Sequence, residues 1–142
     1  MANLRKRGNE DRSIGYTDWR REVGHGNFCQ DIDQVEYRII DGEVVPVLML
    51  ELTRYDYESE PASQYFNAIL ERFSKSQRRA ATHFAQLLGV DCVIVLFKFD
   101  LTRFWLFNLS TDQGWYSLNE GGYRKWLMEH KGRGEADKTS PL

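Results

Sequence analysis

The stretch QDIDQVEYRIIDGEVVPVLMLELTR, residues 30–54, decides the reading of the fold. It reads as two strands around a tight turn. Asp41-Gly42 supplies the turn, because this dipeptide tolerates positive φ at both central positions of a two-residue hairpin. Asp31 and Asp33 lie on the arm before the turn, and Glu51 on the arm after it. Strand side chains alternate between faces, so Asp31 shares a face with Asp33, and Glu51 with Thr53. Asp33 and Glu51 stand at nearly equal distance from the turn, near the open end. A register that pairs them brings two carboxylates together, an arrangement suited to a hard divalent cation.

Glu51 follows Val44-Val45-Pro46-Val47-Leu48-Met49-Leu50, a nearly unbroken apolar run that reads as a strand buried on both faces. An ionised carboxylate there is costly unless it is paired or holds a metal. The plainer alternative is that Glu51 marks where the strand surfaces, paired with Arg54.

Working outward, 142 residues favour one domain with a sizeable core, read as 14–130 between polar tails at 1–13 and 131–142. The first tail carries Arg5-Lys6-Arg7, either a solvated run or a basic arm for phosphates. Tyr16–Val23 reads as a short helix with Thr17 as N-cap, and Asp18 and Glu22 share one of its faces. His25, in the glycine-bearing loop that follows, reads as solvated. Pro61 fits a helix N1 position. Residues 62–88 are helical in pattern, interrupted at Ser74 and Ser76, and are read as two helices or one bent helix. Gly89 suits the position after a helix end. Asp91–Phe99 is a buried strand and Arg103–Leu109 another, with a turn at 111–114. Ser117–His130 reads as the last helix. The order predicts an α/β sandwich with a central mixed sheet and a right-handed crossover.

The net charge of −2 gives no global attraction to nucleic acid, so any DNA contact requires a local basic patch. Arg72, Lys75 and Arg79 have i, i+3, i+7 spacing with Arg78 beside them, which reads as one basic helix face, for solvent or for phosphates. Trp105, Trp115 and Trp126 read as core, and Trp19 as packing. Cys29 and Cys92 form no CxxC or Cys/His cluster, which argues against structural zinc and fits a reducing cytosol. No apolar stretch reaches membrane-spanning length, and neither GxxxxGK[ST] nor GxGxxG occurs, so no nucleotide cofactor is expected.

The ordered set Tyr16-x-x-Trp19-x-Arg21-Glu22, Asp31-Ile32-Asp33-x-x-Glu36-Tyr37-Arg38 and Pro46-Val47-Leu48-Met49-Leu50-Glu51 resembles the PD-(D/E)XK nuclease superfamily, in particular its small phage and bacterial members. The resemblance covers roughly Tyr16 to Leu127. It implies a restriction-endonuclease-like αβββαβ core and metal-dependent hydrolysis of DNA on branched or end-bearing substrates. It also implies a Mg²⁺ or Mn²⁺ ion held by Glu22 (or Asp18), Asp33, Glu51 and the Leu52 carbonyl. By size the chain is similar to resolvase-like members, which act as homodimers.

One position departs from the pattern. Thr53 stands where the family has lysine, and it supplies no positive charge. Some members take the cation from the following helix, where Lys75, Arg78 and Arg79 flank Gln77, itself similar to a polar residue placed beside the site. The alternatives are weak activity with metal alone, or a degenerate nuclease that binds DNA or a protein without cutting.

Overall fold

The computed structural model describes residues 15–16, 18–20, 22, 32–73, 75–111 and 113–130. The chain divides into two compact units, Met1–Asp31 and Ile32–Leu142. The expectations for the two polar tails and for His25, Cys29 and Asp31 lie outside the described residues. In the first unit, residues 15, 16 and 18–20 are helical, so the helix has begun before the expected N-cap position. The Glu22 N–H donates to the Trp19 carbonyl at 3.1 Å. Tyr16 and Trp19 are exposed and their ring centroids lie 5.6 Å apart.

The second unit is an α/β sandwich around a five-stranded mixed sheet in the order β1-β2-β3-β4-β5. Strands β1 (Gln34–Ile40) and β2 (Glu43–Tyr55) form the expected hairpin. Asp41 and Gly42 carry φ of 52° and 81°, the paired left-handed conformation that a two-residue turn needs and that this dipeptide tolerates. Helices α1 (Ser63–Arg72) and α2 (Lys75–Leu88) then lead to β3 (Asp91–Lys98), which pairs with β2 in parallel. Strands β4 (Arg103–Asn108) and β5 (Trp115–Asn119) follow antiparallel, and α3 (Glu120–Glu129) closes the unit.

Alternation along the strands sorts the core into two layers. Met49, Tyr55, Cys92, Ile94, Leu96, Trp105 and Phe107 pack on Ile69 of α1 and on Ala81 and Ala85 of α2. Leu48, Leu50, Val93, Val95, Phe104 and Leu106 pack on Trp126 of α3 from the other side. Both faces of β2 and β3 are therefore covered, which is why their sequences are continuously apolar rather than alternating.

Three details differ from the sequence reading. The helix expected over Ser117–His130 starts at Glu120, because Trp115–Asn119 pairs with β4 as a strand. The Asn119 side chain accepts from the Gly122 N–H at 2.7 Å, and this cap ends the strand and starts the helix. Pro61 lies one residue before the N-cap, Ala62, rather than at N1. The 62–88 segment agrees with one of its two expected readings: it is two helices, since Phe73 at the end of α1 is extended (φ −84°, ψ 105°). Asp33 lies just outside β1 instead of on the strand. Gly89 behaves as expected: it has φ of 73°, and its N–H and that of Val90 donate back to Gln86 and Ala85, closing the end of α2.

Candidate functional site

The site is set by one extra residue in β2. Near the turn, Ile40 pairs with Glu43 and Tyr37 with Pro46, whereas further on Glu36 pairs with Leu48 and Gln34 with Leu50. Val47 is the residue left over, a β-bulge. Pro46 beside it is tolerated because β3 pairs with β2 only from Leu48 onward, so no ladder on that side needs its missing N–H. Carried one step past Gln34, the shifted register sets Asp33 across from Glu51. Without the bulge, Asp33 would face Leu50.

Asp33 is exposed, and its Oδ2 accepts the Leu52 backbone N–H at 2.8 Å. In an extended strand the N–H and C=O of one residue point to the same neighbour. The Leu52 carbonyl therefore also opens toward the β1 side, beyond the last paired residue of β1. Glu51 is buried, at 7% exposure, on the face that α1 and α2 cover. Cys92 shares that face. Burial, then the Glu51 and Asp91 carboxylates, push its thiol up to about 12, so it is a neutral SH group at physiological pH.

The Asp33 carboxylate thus meets the Leu52 backbone, next along β2 to Glu51. Their donor chemistry fits a hard divalent cation, because two carboxylates and a carbonyl are all oxygen. Mg²⁺ commonly takes one or two protein carboxylates and completes its shell with water and substrate phosphate. Among the described residues, no group of three or more His, Cys, Asp or Glu side chains comes together. Glu22, the third acid, is an exposed turn residue of the first unit.

Thr53 is half-buried, two residues beyond Glu51 on the same strand, and pairs in register with Leu96. Arg54 is exposed and engaged with Asp56. Across the sheet, Glu51, Ile94 and Phe107 are in register. The Arg78 guanidinium lies over the Phe107 ring, 5.8 Å from its centroid. Phe107 is two strands from Glu51, so roughly 10 Å separates their backbones. Arg78 is half-buried, whereas Lys75, Gln77 and Arg79 are exposed on α2. The expected single basic face is not formed: Arg72 ends α1, and the extended Phe73 separates it from Lys75, Arg78 and Arg79.

One neighbour was missed by the sequence reading. Cys92 at the site is hidden in the apolar text DCVIVLFKF, where a thiol reads only as packing. The half-burial of Arg78 depends on the break between α1 and α2, which decides the face that α2 presents. Trp105 and Trp126 are buried and Trp115 half-buried, as expected of core tryptophans. Among the described residues, no helix is long and apolar enough to cross a membrane.

Comparison with known proteins finds no matching family model, no matching curated protein and no matching solved structure.

Proposed function

We propose that this chain is a metal-dependent nuclease of the PD-(D/E)XK type that hydrolyses DNA phosphodiester bonds in the cytoplasm, on branched or end-bearing substrates. The observation that supports this reading is the bulge-set register, which aligns Asp33 with Glu51 and turns both Asp33 and the Leu52 backbone to one place. Asp33, Glu51 and the Leu52 carbonyl would hold Mg²⁺ or Mn²⁺. The ion would polarise the phosphate and lower the pKa of a water. Glu51, buried in an apolar layer, keeps a fixed direction and a strong field, because little water screens it. The Thr53 hydroxyl can orient a water by hydrogen bonding but cannot offset negative charge developing on the phosphate.

A specific observation favours a second reading, a degenerate nuclease that binds DNA or a protein partner without cleavage. The lysine position is Thr53, the adjacent Arg54 is engaged with Asp56, and Arg78 lies over Phe107. Cleavage assays on supercoiled, linear and four-way-junction DNA, with Mg²⁺, Mn²⁺ or EDTA, separate the two. Metal-dependent cutting that disappears in Asp33→Ala and Glu51→Ala supports the nuclease. Cutting that survives both substitutions excludes this site. Binding of the same DNA without cutting supports the second reading.

A further inference from the structure

Strand β1 is an edge of the sheet, with no strand on its outer side among the described residues. The two-residue turn makes Ile40 and Glu43 a hydrogen-bonded pair. Alternation then directs the backbone groups of Glu36, Arg38 and Ile40 at β2, and those of Val35, Tyr37 and Ile39 outward. The Tyr37 carbonyl accordingly accepts from the neighbouring Arg38 Nη1 at 2.8 Å, a bond made by the edge to itself. On the turn side of Leu48 the hairpin extends past β3 as a two-stranded arm. On that arm Tyr37, Ile39 and Val44 are 52%, 78% and 68% exposed, all on one face. Apolar residues on an unpaired edge are a template for another strand.

We propose that β1 pairs antiparallel with β1 of a second copy of this chain, about a twofold axis through Tyr37. The charge pattern selects both the occupant and the register. Centred on Tyr37, each Glu36 faces Arg38 of the second copy, and Val35 faces Ile39. Centred on Glu36 or on Arg38, like charges meet at the axis, which is destabilising. Within one copy, Glu36 and Arg38 already lie 3.4 Å apart on the face toward α3, where Arg38 also donates to the Leu127 carbonyl. In the dimer these side chains form a four-membered ladder of alternating charge. The opposite face joins the two Tyr37 rings and their Val35 and Ile39 neighbours. About six interchain backbone bonds continue the sheet, an isologous closed contact.

The test is sedimentation equilibrium of the full chain across the micromolar to millimolar range. The natural sequence is expected to dimerise. Glu36→Arg and Arg38→Glu, each alone, place like charges opposite twice and are expected to raise the dimer Kd about tenfold or more. An equimolar mixture of these two variants restores opposite charges across the axis, so heterodimers are expected at the natural affinity. The pair within each copy stays broken in that mixture, so recovery reports the interchain contact alone. Tyr37→Pro removes an outward N–H while sparing the β2 ladder, and it is expected to be monomeric with an unchanged circular dichroism spectrum. A monomeric natural protein, a mixture that does not recover, or a dimeric Tyr37→Pro variant overturns the proposal.

Discussion

The Asp33 carboxylate accepts the backbone N–H of Leu52 at 2.8 Å, across the end of a hairpin whose register is shifted by one residue at Val47. This bond fixes an acid that lies outside any strand, and it does so at the residue whose carbonyl is a candidate ligand. Asp33 therefore has a structural role and, under the proposed function, a chemical one, and the two can be separated by substitution.

Asp33→Asn keeps an oxygen able to accept from Leu52, whereas Asp33→Ala does not. The alanine variant is expected to lose on the order of 1 kcal/mol of stability, the usual net worth of such a bond, and the asparagine variant about half of that or less. Both are expected to lose metal-dependent cleavage. Urea midpoints together with cleavage rates check this. Equal stability loss in both variants would mean that the carboxylate charge, not the acceptor, anchors the strand end.

The hairpin was legible because its signals are local: Asp41-Gly42 forces the turn, and the run Val44 to Leu50 announces a buried strand. The near-alignment of Asp33 with Glu51 was legible to within one residue. The last step depends on the bulge at Val47, and nothing in the letters Pro46-Val47-Leu48 says which residue is extra. The basic face failed for a related reason. Spacing of i, i+3, i+7 holds only within one helix, and the extended Phe73 divides it. The strand at Trp115–Asn119 was hidden because WYSLN is short and runs into Asn119, whose capping role shows only when the chain turns into α3.

Cys92 gives the chain an alkaline limit. Its folded thiol lies near 12 against an ordinary value of 9.0, first through burial and then through Glu51 and Asp91. Because the folded value is the higher one, the stabilisation is fully present below pH 9. It is lost as pH rises toward 12, where the unfolded chain has already released its proton. Tyr123, raised by burial and then by Glu36, acts in the same direction above its ordinary 10.0. Cys92→Ala is expected to be less stable at neutral pH by on the order of 1 kcal/mol. Its deficit should shrink above pH 9, as denaturant midpoints taken across the alkaline range would show. A constant deficit would mean that the thiol is not shielded.

Leu101 carries φ of 62° in the turn between β3 and β4, a left-handed conformation disfavoured for a branched side chain, and it is 53% exposed. The turn is held by the Leu101 N–H on the Lys98 carbonyl at 2.8 Å, and by the Thr102 hydroxyl on Asp100 at 2.6 Å. Leu101→Asn should leave those bonds intact and relieve the strain, raising stability by roughly 0.5–1 kcal/mol and Tm by a few degrees. Calorimetry checks this, and a lowered Tm would show that the leucine side chain contributes packing that outweighs its backbone cost.

Thr53→Lys tests the chemistry most directly. Position 53 shares the Glu51 face by alternation and is half-buried at the end of an apolar strand, so a lysine there can bury its stem and hold its ammonium near Glu51. An opposite charge at that range favours both ionised forms and supplies the cation that threonine lacks. If the proposed metal site is otherwise complete, Mg²⁺-dependent cleavage should rise by about tenfold to a thousandfold, the usual worth of one well-placed charge-stabilising group. If the natural chain already draws its cation from α2, the gain should be small, and Arg78→Ala should instead reduce cleavage of the natural sequence. Arg78→Ala also removes the contact over Phe107, worth roughly 0.5–1 kcal/mol, so its melting curve must accompany its rate. Loss of rate beyond that stability change would identify Arg78 as the relocated cation. An inactive Thr53→Lys that folds and binds Mg²⁺ would exclude lysine loss as the cause of silence and point the site toward binding.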